Sequence, residues 1–200
     1  MVGTPLESHP GEETYDLLRI PTPRQPQDSS ECVRYAIWMV THYIANEYPS
    51  EDVRSKVNPP KLGTIADFIE VGNGGWENIG QEPLTKLGAK IQGVNISLFS
   101  KYDADTTIRE LTAPYLQKHL PCIVWMDRLM LKDQIRGEGP LHAMVVSGMG
   151  NERMTLHDPL KRSTDTFGID KIDDAWDPEM NTALQVELSS TLSPVYREEA

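Results

Sequence analysis

Cysteine and positive charge are both scarce in this chain. Only two of its 200 residues are cysteines, Cys32 and Cys122, too few for the disulfide framework that holds small secreted domains together. Lys and Arg number 19 against 30 Asp and Glu, giving a formal net charge of −11. That balance argues against a nucleic-acid groove and against an anionic membrane as the main partner. Long apolar runs are missing too, and none approaches the roughly 20 residues of a bilayer-spanning helix. The start, Met1 to Gly11, has neither a basic stretch nor an apolar centre, so no secretory signal is visible. These absences lead us to expect a cytoplasmic protein with reduced thiols.

With 38% hydrophobic and 24% charged residues, the composition is that of a globular chain able to bury one core of ordinary size. Residues 1–24 are rich in Pro, Glu and Thr and are expected to form an extended arm, with one short apolar patch from Tyr15 to Ile20. Residues 25–190 should form the domain, and 191–200 a tail. Apolar positions Val33, Ala36, Ile37, Val40 and Ile44 predict a helix from Ser29 to about Glu47, with Asp28, Ser29 or Ser30 as its N-cap and Cys32 in its first turn. Shorter helices are expected over Ser50 to Val57, Thr64 to Val71 and Glu82 to Leu87, and a strand over Ile91 to Phe99. A further helix is expected over Thr106 to His119, kinked or divided by Pro114.

Beyond Leu120 the chain reads as strands. Cys122 to Met126 is one, and His142 to Met149 with Arg153 to His157 makes a hairpin around Gly150-Asn151-Glu152. Thr164 to Gly168 would pair next, Ile169 to Trp176 forms a short helix, and Ala183 to Leu188 is a last strand. Helices first and antiparallel strands second give an α+β fold.

Three residues in this layout suggest chemistry. Cys32 stands at a helix start, where free N–H groups and the positive end of the helix dipole favour a thiolate. His142 opens a strand, and Asp158 ends its hairpin partner, where a carboxylate can accept the imidazole N–H and fix its tautomer. Nucleophile, base and orienter are thus present. Each also has a bland reading: a buried structural thiol, a rim histidine with a satisfied hydrogen bond, and an Asp-Pro turn.

The segments Gln25-Pro26-Gln27-Asp28-Ser29-Ser30-Glu31-Cys32, Leu141-His142-Ala143-Met144-Val145-Val146-Ser147-Gly148 and His157-Asp158-Pro159 together resemble the bacteriocin-processing (double-glycine leader) peptidases and their stand-alone relatives. The resemblance runs from about Ile20 to Phe167. It implies a papain-like fold, with the nucleophile helix packed on a C-terminal antiparallel sheet, and a cysteine peptidase acting on a peptide or isopeptide bond without a cofactor. It makes Cys32 the nucleophile, His142 the general base and acid, and Asp158 the orienter. The family's oxyanion glutamine has two candidates here, Gln25 and Gln27, flanking Pro26 at the usual position. Val33 stands where the family commonly has glycine, and Arg34 and Tyr35 are bulky where relatives are small. A weakened relative that binds peptides or proteins without cleaving them is therefore the alternative.

Other features absorb less. Cys122 reads as a buried strand thiol, and His157 should face away from Asp158 because strand side chains alternate. No CxxC or HxxxH pair supports a metal site. Arg128 to Gly139, just before His142, is either a lid or specificity element or an ordinary solvated loop. Gly72-Asn73-Gly74-Gly75 lacks the helix of a phosphate loop.

Overall fold

The computed structural model of the protein describes residues 17–23, 25, 31–71, 77–100, 106–128, 130–132, 141–161, 163–176 and 182–190. The helical period at Val33, Ala36, Ile37, Val40 and Ile44 is realised as α1 (Cys32–Asn46), and all five side chains are fully buried. Its N-cap is Glu31, whose side chain makes no capping bond; the expected caps at 28–30 lie outside the described residues. Arg34 Nη1 instead donates to the Glu31 carboxylate at 2.7 Å, and Arg34 Nε donates to the Ile69 carbonyl at 2.7 Å. The start of α1 is thereby tied to a segment packed beside it.

Ser50 caps α2 (Glu51–Lys56) by accepting the Val53 N–H. The helix expected over 64–71 is shorter and earlier, α3 (Leu62–Ala66). The N–H groups of Phe68 and Ile69 both close on the Ile65 carbonyl, which tightens and ends the helix and lets Ile69 enter the core. The chain continues into a two-residue strand, β1 (Glu70–Val71), paired antiparallel with β2 (Glu77–Asn78). Helix α4 (Gln81–Ile91) outlasts its expected end at Leu87, and the strand expected from Ile91 starts only at β3 (Val94–Ser100). Gln92 and Gly93 between them take positive φ angles of 62° and 76°, a left-handed exit that turns the chain sharply. Helix α5 (Ile108–Leu116) opens with a reciprocal Thr107–Glu110 capping box. Pro114 lies near its end and does not divide it, because a proline there removes a single ladder bond.

The strands β4 (Cys122–Asp127), β5 (Leu141–Met149), β6 (Arg153–Asp158) and β7 (Ser163–Gly168) follow, then α6 (Ile169–Ala175) and β8 (Thr182–Leu188). Six of the strands form one sheet in the order β3-β8-β4-β5-β6-β7, antiparallel at every step. Residues His142 to Met149 of β5 are buried without alternation, so both faces of this strand are covered. Helices α1 and α5 both pack against it. The protein is thus α+β, N-terminal helices on an antiparallel sheet, as the sequence leads one to expect. Among the described residues no helix is long and apolar enough to cross a membrane.

The segment ahead of α1 lies against the domain. Leu18 and Ile20 are each 6% exposed, the Leu18 N–H donates to the Ser147 carbonyl at 2.8 Å, and the Gln25 N–H to the Pro159 carbonyl at 2.9 Å. Burying a side chain of this kind contributes about 1.5–3 kcal/mol, against about 1 kcal/mol net for a hydrogen bond. Apolar burial therefore holds this segment, and the hydrogen bonds set its register. Ile37→Ala, at a fully buried position of α1, should cost about 2–5 kcal/mol in urea unfolding, whereas Leu17→Ala, at a 59% exposed position, should stay within about 0.5 kcal/mol of the parent.

Candidate active site

The site is built on the hairpin of β5 and β6, and its geometry depends on an irregularity. Beside the turn, Met149 pairs with Met154 and Gly148 with Thr155; beyond Ser147, Val146 pairs with Leu156 and Val145 with His157. Ser147 is therefore an extra residue in β5, a β-bulge. If the register at the turn ran on unchanged, Asp158 would come opposite Val145, on the face away from His142. The extra residue moves each later pairing by one, so that Asp158 comes opposite Met144 and shares the face of Met144 and His142. The side chains then meet: His142 Nε2 lies 2.7 Å from Asp158 Oδ1. Nothing in the sequence reading foresaw the bulge. Its signal was Gly148, since a glycine inside a strand often marks a bulge or a close backbone approach. Both apply here, because a Cβ on Gly148 would sit 3.3 Å from the Leu17 Cα.

The pair is well shielded, with His142 7% and Asp158 1% exposed. Asp158 Oδ1 also accepts the Leu160 N–H at 2.8 Å. Burial by itself raises the Asp158 carboxyl; the hydrogen bond and charge of His142, the Leu160 N–H and the Arg128 guanidinium more than offset it and hold the group below its ordinary value. Asp158 is thus an ionised partner for the imidazole, bound through Nε2. Bonded in this way, the ring presents Nδ1 as its other nitrogen.

Cys32 is the first residue of α1 and a half-buried thiol outside any disulfide, and α1 packs on β5, the strand that carries His142. Gln25 is buried and anchored by its backbone to Pro159, the residue after Asp158. Gln27 lies outside the described residues. The bulky residues after Cys32 are turned to structural use. Val33 is fully buried in the core, and Arg34 is bound to Glu31 and Ile69. Cys122 is a fully buried thiol in the middle of the sheet, pushed well above its ordinary value by burial.

His157 faces the other way, as strand alternation requires. Its Nδ1 lies 3.4 Å from Thr164 Oγ1, and it lines a cleft of about 520 Å³ with Leu18, Ile20, His42 and Glu47. Among the described residues no group of three His, Cys, Asp or Glu is placed to hold a metal ion. Residues 133–140 of the loop before His142, and residues 72–76, lie outside the described residues.

The fold has a counterpart among solved structures. A protein from Bacillus anthracis assigned as a C39-like peptidase superposes with a TM-score of 0.60 at 17% identity, over 88% of this chain and 98% of that one. The fold is that of a C39-like peptidase. Two other solved structures superpose less closely. One is a double glycine motif protease from an AMS/PCAT transporter, solved with the leader peptide, at TM-score 0.46 and 17% identity over 86% of this chain and 94% of that one. The other is the peptidase domain of Streptococcus ComA, a bifunctional ABC transporter of a quorum-sensing pathway, at TM-score 0.49 and 14% identity over 84% and 96%. No family model matches the chain, and no curated protein matches its sequence.

The two neighbours at the end of β6 both resist protonation in the folded protein, the imidazole through burial and the carboxylate through its partners. Burial pushes the His157 ring down from 6.5 to about 4, so the unfolded chain takes up this proton first as the pH falls. Stability from His157 is then fully present above pH 6.5 and declines towards pH 4, by a total on the order of 3 kcal/mol. Urea midpoints measured between pH 7 and pH 4 should show a shallower decline in His157→Gln than in the parent protein.

Proposed function

We propose that the protein is a cysteine peptidase in which Cys32, His142 and Asp158 act together on a peptide or isopeptide carbonyl. The observation that carries this reading is the 2.7 Å His142 Nε2–Asp158 Oδ1 contact inside a C39-like fold. A carboxylate on Nε2 fixes the tautomer and steadies the imidazolium, and leaves Nδ1 to serve the thiol at the start of α1. The Cys32 sulfur attacks the carbonyl carbon while His142 takes its proton. His142 then returns the proton to the departing amine, leaving a thioester on Cys32, and a water activated by the same ring hydrolyses it. The Cys32 N–H belongs to the first turn of α1, outside the helix's own ladder, and suits the developing oxyanion. Gln25 or Gln27 would supply the second donor. The anchoring of Gln25 beside Pro159 supports Gln25.

In this reading residues 25–190 form the peptidase domain, 1–24 the arm and 191–200 the tail, and the protein works in the cytoplasm on a peptide or protein substrate. A binding module that keeps the fold without turnover is the competing reading, favoured by Pro26 standing where the family has its glutamine. Burial of Val33 in the core removes the other argument for it.

Iodoacetamide at near-neutral pH separates the two. Cys32 should be alkylated well ahead of Cys122, and His142→Ala should slow that reaction by about 10²-fold. Peptide mapping that finds Cys32 no faster than an ordinary thiol, or Cys122 modified first, would leave only the binding module.

A further inference from the structure

The outer oxygen of Asp158 raises a question that the peptidase reading leaves open. Oδ1 is engaged twice, by His142 Nε2 and by the Leu160 N–H. Oδ2 is buried and, among the described residues, has no hydrogen-bond partner. Two cations approach it, Arg128 Nη2 at 3.6 Å and Lys161 Nζ at 4.0 Å. They differ in what else they do. The Lys161 side chain is 38% exposed and gives its ammonium a closer partner, Asp165 at 3.1 Å. The Arg128 side chain is 25% exposed, and its Nε is buried with no hydrogen-bond partner among the described residues. A guanidinium carries a charge that protein environments do not remove, so Arg128 keeps a permanent positive field beside Oδ2.

We propose that Arg128 is a positioning residue of the site, its guanidinium holding the outer oxygen of Asp158 while the inner oxygen serves His142. The assignment rests on the cysteine-peptidase reading for its catalytic meaning, but its geometry stands apart from Cys32. Met126 pairs with His142 and Asp127 with Leu141 at the end of β4. The next residue, Arg128, therefore leaves the sheet beside the start of β5. Asp127 Oδ1 accepts the Met130 N–H at 3.2 Å, closing the turn from which Arg128 projects. The arginine reaches from the end of β4, past β5, to the end of β6. It thus reaches from the strand beside the dyad across to the far one of the two strands that carry it.

The electrostatic neighbours of Asp158 come from each element around it: His142 on β5, Arg128 after β4, Lys161 and the Leu160 N–H after β6, and Asp165 on β7 acting through Lys161. The Arg128 guanidinium helps hold the carboxylate ionised without drawing on the proton that His142 must move. It also opposes rotation of the carboxylate, which would carry Oδ1 away from the ring.

Protein with ¹³C-labelled aspartate carboxyls tests this directly. In Arg128→Gln the Asp158 carboxyl should titrate at higher pH than in the parent, Arg128→Lys should restore most of the difference, and Lys161→Gln should produce the smaller shift. With a cleaved peptide substrate, Arg128→Gln should lower kcat about tenfold, on the scale of outer-shell partners in metal sites, at an unchanged KM, and the acid limb of kcat should move to higher pH. An unmoved carboxyl titration in Arg128→Gln, or a larger shift in Lys161→Gln, overturns the assignment. So does a rise in KM with kcat and the titration unchanged, which would make Arg128 a substrate contact. A parent protein without turnover would count against the peptidase reading alone, because the carboxyl titration still reports on Arg128.

Discussion

One extra residue in β5 decides which face of the sheet Asp158 occupies. Strand side chains alternate strictly, so a hairpin of regular register would send the Asp158 carboxylate to the side away from His142. The bulge at Ser147 reverses that parity, and the buried 2.7 Å contact follows. A bulge leaves a backbone group outside the ladder. Here the Ser147 carbonyl accepts the Leu18 N–H, and the absent side chain of Gly148 leaves room for Leu17 to lie close. The segment before α1, the bulge and the dyad are thus parts of one arrangement. The same segment is fastened at its other end to Pro159, so it spans the hairpin from the bulge to the residue after Asp158.

Identical residue types take different characters from their places in this frame. His157 and Asp158 are neighbours in sequence, yet burial acts on them with different results. The histidine lies against a threonine hydroxyl, and burial favours its neutral form. The carboxylate, although buried, is kept charged by an imidazole, a backbone N–H and a guanidinium. The two cysteines divide similarly. Cys122 lies in the middle of the sheet, where no charge compensates its burial, and Cys32 lies at the mouth of a helix. In a chain of net charge −11, the cations gathered near Asp158 are local features that composition does not reveal.

Much of this fold could be read from the sequence where side-chain period was strong. Val33 through Ile44 announced α1, and the apolar runs around Gly150-Asn151-Glu152 announced the hairpin. Boundaries failed where backbone hydrogen bonding, and not the apolar pattern, ends an element. Thus α3 stops early because two N–H groups share the Ile65 carbonyl, and β3 starts late because Gln92 and Gly93 turn left-handed. The pairing of His142 with Asp158 was legible as a hairpin juxtaposition. The register that makes it possible was not, since a bulge is a property of two strands together. The reach of Arg128 to Asp158 was also hidden, because sequence places the arginine in a loop and says nothing of what it crosses.

The order of strands carries a consequence for assembly. Strand β8 lies between β3 and β4, so β3 and the helix α4 packed on it join the rest of the sheet through residues 182–188. On a ribosome making the chain from its first residue, helices α1 to α4 and strand β3 are complete long before the segment that links β3 to the others emerges. Pairing at such long sequence separation is slow, because loop closure must be paid before contacts repay it. The early half of the molecule therefore waits for the late half. A halted or clipped chain lacking residues 182–188 would present two open strand edges, β3 and β4, in the form that most invites edge-to-edge association.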